Sequence, residues 1–128
     1  MTKFEAIRGD LEKSVQRLEE VLKLEKTALN RDAAIKRFEL AFDLAWKTIK
    51  TYLEEEKNII RNSPTDCFRE AFQQGLIEYD RTWLEIAQDR NRMTHIYNEQ
   101  MAEDFYQRLP AALEHFQKLL AALQGANR

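Results

Sequence analysis

The chain has 128 residues, with 20 basic and 22 acidic side chains, two histidines and one cysteine. This length predicts one domain over residues 1–128 and allows a hydrophobic core without crosslinks. A single cysteine excludes an intrachain disulfide and a thiolate zinc cage. The formal charge of −2 argues against unspecific coating of nucleic acid, although one or two arginines suffice for a local phosphate site.

The N-terminal half predicts two long antiparallel helices. Apolar residues recur every three or four positions from Phe4 to about Ala28, the period of one helical face. Asn30 is the predicted N-cap of a second helix, from about Arg31 to Glu56. Its apolar stripe consists of Ile35, Phe38, Ala41, Phe42, Ala45, Trp46, Ile49 and Leu53. The charged start of the chain differs from a signal sequence and no apolar run approaches membrane-spanning length, so we expect a cytoplasmic protein with no membrane association.

A short third helix is predicted from the start and stop signals in "NSPTDCFREAFQQG". Ser63 is the expected N-cap and Pro64 the first helical residue. Asp66, at the third helical position, can return a bond to the cap. Gly75 is the expected left-handed residue after the helix. Because the N-cap and the left-handed glycine are twelve positions apart, these signals predict a helix of about eleven residues.

Two further helices complete the chain. Asp80 is the predicted N-cap of a fourth helix through "RTWLEIAQDRNRM", and Asn98 that of a fifth from about Glu99 to Leu123. Pro110 is expected to kink or break the fifth helix near Gln107–Leu109, because proline lacks the N–H and clashes one turn back. The sequence therefore predicts an all-α, up-and-down helical bundle of four long helices and one short helix.

Several kinds of chemistry are absent from the sequence. The three glycines are isolated, which excludes a P-loop or a dinucleotide-binding fingerprint. No metal-binding histidine motif occurs, and no glycine-serine turn is followed by the paired aspartates that hold Mg²⁺ and a nucleoside triphosphate. We therefore expect no cofactor, no metal site and no metal-dependent phosphoryl transfer within this chain.

Four hydrogen-bonding residues surround the predicted end of the fourth helix: Arg90, Asn91, His95 and Tyr97. A histidine exchanges a proton near neutral pH, and an arginine offers a rigid fork for phosphate. Together they suit a phosphodiester, with His95 on the 2′-hydroxyl or leaving oxygen and Arg90 on the phosphate. The alternative is structural, since basic side chains at a helix C-terminus also satisfy its last carbonyls and its dipole.

A second candidate lies on the second helix, where Glu39, Asp43 and Lys47 are spaced four residues apart. This spacing places them on one face. The face is either solvated or lines a groove, and in a groove Lys47 would contact substrate. Trp46 and Trp83 are interpreted as core or dimer-interface residues.

Three segments carry a family resemblance: "RDAAIKRFELAFDLAWKTIKTYLE", "NSPTDCFREAFQQGLI" and "WLEIAQDRNRMTHIYNEQMAE". They resemble the nucleotidyltransferase substrate-binding family of the HEPN superfamily of helical bundles. The matching blocks run from about Arg31 to Tyr106. The resemblance implies a homodimer and a partner, a minimal nucleotidyltransferase on a separate chain that carries the glycine-serine and paired-aspartate motif missing here.

The resemblance also implies roles for individual residues. Arg90 and His95 match the arginine-x4-6-histidine motif of metal-independent HEPN ribonucleases, and Asn91 matches the polar residue after the arginine. Tyr97 resembles the tyrosine that accepts AMP from the nucleotidyltransferase in toxin–antitoxin pairs. An AMP group there would add charge and bulk beside His95 and block RNA.

Three functional hypotheses follow. In the first, the chain is a substrate-binding or target subunit that binds a nucleotide, through Asn91, Tyr97 and Lys47, or presents Tyr97 to its partner for modification. In the second, it is an endoribonuclease toxin acting through Arg90 and His95 and neutralised by the nucleotidyltransferase. In the third, it is a helical dimerisation module without a site.

Overall fold

The computed structural model describes residues 1–78, 80–96 and 98–126, and in these ranges the chain forms a bundle of five α-helices. The helices are α1 (Lys3–Leu22), α2 (Ala28–Lys57), α3 (Pro64–Gln73), α4 (Arg81–Arg92) and α5 (Glu99–Ala126). The predicted all-α helical bundle is confirmed. In the described part of the chain, no helix combines the length and apolar character needed to cross a membrane.

The turn between α1 and α2 falls earlier than predicted. The first helix ends at Leu22 rather than near Ala28, and Thr27 rather than Asn30 is the N-cap of α2. The Thr27 hydroxyl accepts the Asn30 N–H at 3.0 Å. Asn30 is thus the third residue of the helix, and its side chain closes the turn by donating to the Glu25 carbonyl at 2.8 Å. Thr27 takes the cap because its oxygen reaches the third amide of the helix.

The buried faces of α1 and α2 follow the predicted stripes closely. Every predicted core residue of α2 is buried except Trp46, which is partly buried. Four of the six residues in the predicted α1 stripe are buried, namely Phe4, Leu11, Val15 and Leu18. The other two, Ile7 and Leu22, are only partly buried, and Val21 is buried instead. The stripes of these two helices therefore form one side of the core, as their period indicated.

The predicted ends of α3 are confirmed. The Ser63 hydroxyl accepts the Asp66 N–H at 3.2 Å, and Pro64 is the first residue of a ten-residue helix. Gly75 has a φ of 76°, which a residue without Cβ adopts at little cost. Its left-handed backbone lets the Leu76 N–H return to the Ala71 carbonyl at 2.9 Å, the bond that closes a Schellman C-cap.

The N-caps of α4 and α5 are also confirmed. The Asp80 carboxylate accepts the Thr82 N–H at 2.8 Å, and the Asn98 side chain accepts the Met101 N–H at 2.9 Å. A break at Pro110 is ruled out, because α5 is one helix from Glu99 to Ala126; the alternative expectation, a kink there, stays a prediction.

Burial on both sides of Pro110 explains the continuity of α5. Leu109, Ala112 and Phe116 are all at most 3% exposed. An interior proline costs about 3 kcal/mol, whereas burying one leucine or phenylalanine contributes about 1.5–3 kcal/mol. Packing against the core therefore offsets the missing backbone hydrogen bond.

Aromatic rings connect the four later helices through the core. Phe38 of α2 packs against Phe116 of α5, with ring centroids 5.8 Å apart. Phe42 of α2 meets Phe68 of α3 at 5.8 Å, and Phe68 stacks on Trp83 of α4 at 4.7 Å. These contacts hold α3 and the first turn of α4 against α2 and α5.

Candidate functional site

The last turn of α4 places Arg90 against α2. Its Nη2 donates to the Asp43 carboxylate at 3.3 Å, and the Arg90 side chain is 22% exposed. Its Nε is buried and has no hydrogen-bond partner among the described residues. A buried donor without an acceptor costs about 1–3 kcal/mol. The guanidinium is therefore anchored on Asp43, and the exposed 22% of the side chain is the part that an anion from solvent can contact.

Asn91 and His95 lie beyond this pair, and both are exposed. The α-helix ends at Arg92 and a 3₁₀ turn, Met93–His95, follows. The Thr94 hydroxyl donates to the Asn91 carbonyl at 3.0 Å. The α-helix thus ends between Asn91 and His95, at the helix end predicted from the sequence. Tyr97, the predicted modification site, lies outside the described residues.

Lys47 flanks the site from α2. It is exposed, and its ammonium lies 5.9 Å from the centre of the Trp46 ring. It follows Asp43 by four residues, so the two share one face of α2. Of the residues predicted to share this face of α2, Asp43 contacts Arg90, and Lys47 lies one helical turn further along.

Sequence reasoning missed the ion pair that holds the end of α4 on α5. The Asp89 carboxylate accepts from Arg108 Nε at 2.7 Å and from Arg108 Nη2 at 2.9 Å. Asp89 is 8% exposed. The hydrogen bonds to Asp89 raise the pKa of Arg108. The available signal was the spacing of buried positions, because Asp89 follows Trp83 and Ile86 at helical intervals. An acid in an apolar stripe indicates that a basic partner satisfies it.

A second ion pair fixes the start of α5. Arg31 of α2, only 6% exposed, donates from Nη1 to the Glu99 carboxylate at 2.8 Å and from Nε to Asp32 at 3.1 Å. The hydrogen bond between Arg31 and Glu99 raises the pKa of the arginine and lowers the pKa of the acid. Because Glu99 is the first residue of α5, this contact anchors the connection that follows His95.

The arrangement is suited to binding one anionic group. A half-buried guanidinium, an exposed amide and an exposed imidazole lie within six residues at one helix end. Asp43 neutralises part of the Arg90 charge, so the site favours a single phosphate over an extended nucleic-acid backbone. In the described ranges, no three His, Cys, Asp or Glu side chains are grouped to hold a metal ion.

The fold defines a class, an all-α helical bundle, in which the candidate site lies at the end of α4. The sequence profile described as nucleotidyltransferase substrate binding protein like matches residues 8–125. The chain therefore belongs to this family.

Solved structures similar to the chain include one from Thermus thermophilus and one from Haemophilus influenzae. A protein from Thermus thermophilus is 34% identical, with a TM-score of 0.83, over 88% of this chain and 98% of that one. The Haemophilus influenzae protein HI0074, described as having the fold of a substrate binding domain of a nucleotidyltransferase, is 24% identical, with a TM-score of 0.67, over 94% and 96% of the two chains. No curated protein matches the sequence.

Proposed function

We propose that the chain is the substrate-binding or target subunit of a two-component nucleotidyltransferase system. The catalytic residues would reside on a separate minimal nucleotidyltransferase. The observation that carries this proposal is the family match over residues 8–125, in a sequence that has no glycine-serine turn followed by paired aspartates. Such a chain needs a partner to transfer a nucleotide.

Arg90 supports a phosphate-binding role for the end of α4. Its contact with Asp43 orients the guanidinium, and the side chain keeps 22% of its surface exposed toward solvent. A nucleotide phosphate supplies oxygens at that point, and the exposed Asn91 is within the same turn to contact the sugar. In this proposal, either a free nucleotide binds here or the partner brings one to Tyr97.

We propose further that two copies of the chain associate beside this site. Leu40 of α2 is 50% exposed and precedes Asp43 by three residues, so it lies on the same side of the helix. An exposed leucine next to a polar site is suited to burial against a second copy. Leu40→Asp should shift the mass measured by light scattering from dimer to monomer, whereas Leu29→Asp, at an even more exposed position near the start of α2, should not.

Intact mass tests the target role. The purified chain is incubated with its nucleotidyltransferase, ATP and Mg²⁺, with Tyr97→Phe in parallel and Tyr106→Phe as the matched control. Mass steps of one or more AMP units that vanish only in Tyr97→Phe support modification of Tyr97. If the complex forms and no mass step appears, the target role is excluded and the nucleotide-binding role remains to be measured directly.

Calorimetric titration with ATP tests the nucleotide-binding role. Arg90→Met should weaken binding by about 10-fold or more, because a hydrogen bond to a charged group contributes about 1.5–3 kcal/mol. Arg92→Met is the control, since Arg92 is exposed at the same helix end. Equal affinities of the two variants would exclude Arg90 as the phosphate ligand.

A metal-independent HEPN endoribonuclease is the second candidate function. The observation that favours it is an exposed His95 separated by four residues from a half-buried Arg90. In that case, expression of the chain alone should slow growth, and His95→Ala should relieve the effect. If the wild type and His95→Ala are equally benign, this function is eliminated.

A further inference from the structure

A cleft with two lobes lies at the N-terminal end of α4, away from the Arg90 site. One lobe, of about 310 Å³, lies between α3 and α4, and the other, of about 330 Å³, extends to α5. The lobes share Ile77, Glu78, Asp80 and Trp83. Each volume is within the range of small-molecule sites. Asp80 and Arg90 are ten residues apart on one helix, about 15 Å at its rise per residue, so the cleft is a separate site.

The first lobe has aromatic and aliphatic walls. Trp83 stacks on Phe68 with an angle of 25° between the rings, and both residues are 6% exposed. Phe72 and Leu84, which also line this lobe, remain 43% and 47% exposed. A rigid aromatic floor with exposed apolar sides favours a ligand whose apolar body removes these surfaces from water.

The junction of the two lobes carries carboxylates. Asp80 accepts a hydrogen bond from Thr82 and lies 2.7 Å from His115 Nε2. The contact with His115 is the main cause that lowers the pKa of Asp80 to about 2, so this carboxylate is ionised at neutral pH. In the described part of the chain, Glu78 is exposed and makes no ion pair.

The cations that line the cleft are already paired. Arg69 contacts Asp66 at 3.1 Å, and Lys118 contacts Glu114 at 3.4 Å. When His115 is protonated, its charge balances that of Asp80, and the carboxylate of Glu78 leaves one net negative charge. When His115 is neutral, both carboxylates remain unbalanced and the net charge is two negative. The junction is therefore anionic in either state of the histidine.

His115 itself is not placed for catalysis. Its Nδ1 lies 2.9 Å from the Ala111 carbonyl oxygen and its Nε2 lies on Asp80. With both ring nitrogens engaged, the imidazole orients the carboxylate and leaves no nitrogen for a reacting group. The cleft is thus a binding site by its chemistry.

We propose that this cleft binds a small organic amine with an apolar body. The body lies against Phe72, Trp83 and Leu84, and the ammonium group binds the carboxylates of Glu78 and Asp80. This inference does not depend on the proposed nucleotidyltransferase partner, because it concerns a different end of α4 and its test needs no partner protein.

Fluorescence of Trp83 tests the proposal. The chain has two tryptophans, so Trp46→Phe leaves Trp83 as the single reporter. This variant is titrated with 2-phenylethylammonium, with neutral 2-phenylethanol and with anionic 3-phenylpropionate, which have similar apolar bodies. The ammonium compound should bind at least about tenfold more tightly than the other two, as expected for hydrogen bonds to charged groups. Glu78→Gln should reduce that preference, and Glu12→Gln, at an exposed position of α1, should leave it unchanged.

Three results would overturn the proposal. These are an equal affinity for the three compounds, a tighter binding of the anion, or no change in Trp83 emission up to the solubility of the ligands. If Trp46→Phe does not fold, saturation-transfer NMR on the wild-type chain measures the same three affinities, and the same ranking is required.

Discussion

Replacing Arg108 by methionine should destabilise the bundle and loosen the end of α4. Two hydrogen bonds, at 2.7 and 2.9 Å, join the Arg108 guanidinium to the Asp89 carboxylate. Each bond to a charged group contributes about 1.5–3 kcal/mol when both partners are buried. Only Asp89 is buried here: its side chain is 11% exposed and that of Arg108 is 45% exposed. Solvent screening on the arginine side reduces the sum, and we expect a loss of about 2 kcal/mol in the free energy of unfolding.

Methionine is chosen because it keeps an unbranched apolar stem while removing the guanidinium, whose carbon lies 5.2 Å from the centre of the Phe105 ring. The measurement is urea unfolding followed by far-UV circular dichroism, with the slope of the transition checked for constancy. For a chain of 128 residues, a loss of about 2 kcal/mol corresponds to a Tm lower by about 7 °C, from an unfolding entropy of about 2.1 cal/mol/K per residue.

Arg69→Met is the matched control, because Arg69 and Asp66 form the same kind of pair at the surface, with side chains 64% and 51% exposed. Such exposed pairs contribute about 0–1 kcal/mol. If Arg108→Met and Arg69→Met have the same free energy of unfolding, the reasoning from burial of the Asp89 carboxylate is wrong.

Three further predictions concern other contacts. Because the folded pKa of Asp80 is lowered to about 2, its stabilising contribution should be complete above about pH 4 and disappear as pH falls toward 2. The deficit of Asp80→Asn in urea unfolding should shrink over that window, and a constant deficit would contradict the role of His115. Arg31→Met should speed amide hydrogen exchange in the first turn of α5, since it removes the contact with Glu99; unchanged exchange there would show that the pair does not anchor this turn. Burial raises the pKa of Cys67 to about 11, so its reaction with Ellman's reagent at pH 8 should be at least about 100-fold slower in the folded than in the urea-unfolded chain, and rapid labelling of folded protein would refute this.

The helices were predictable because their signals are local. The side chains of Ser63, Asp80 and Asn98 cap amides only two or three residues away. The positive φ of Gly75 likewise depends only on the absence of a Cβ at that residue. Periodic apolar stripes likewise depend only on spacing along one helix. The N-cap of α2 was assigned to Asn30 instead of Thr27 because both residues have the right chemistry and only the path of the turn distinguishes them. The break expected at Pro110 failed because burial of its neighbours is a property of the whole core.

The candidate site was predictable only as a set of residues. Arg90, Asn91 and His95 lie together because they are close in the chain, and the sequence indicated that a helix ends among them. That Asp43 orients Arg90 could not be read from the sequence, since 47 positions separate the two residues.

The same limit applies to the other contacts that shape the molecule. The pairs Asp89–Arg108 and Asp80–His115 join positions 19 and 35 residues apart, and the cleft at Trp83 exists only where α3, α4 and α5 meet. The sequence by itself determined the helices, both ends of α3, the N-caps of α4 and α5, and the family, because these follow from local hydrogen bonding, apolar period and motif order. Only the tertiary structure decided which charges are buried and paired, because burial and pairing depend on how the helices pack together.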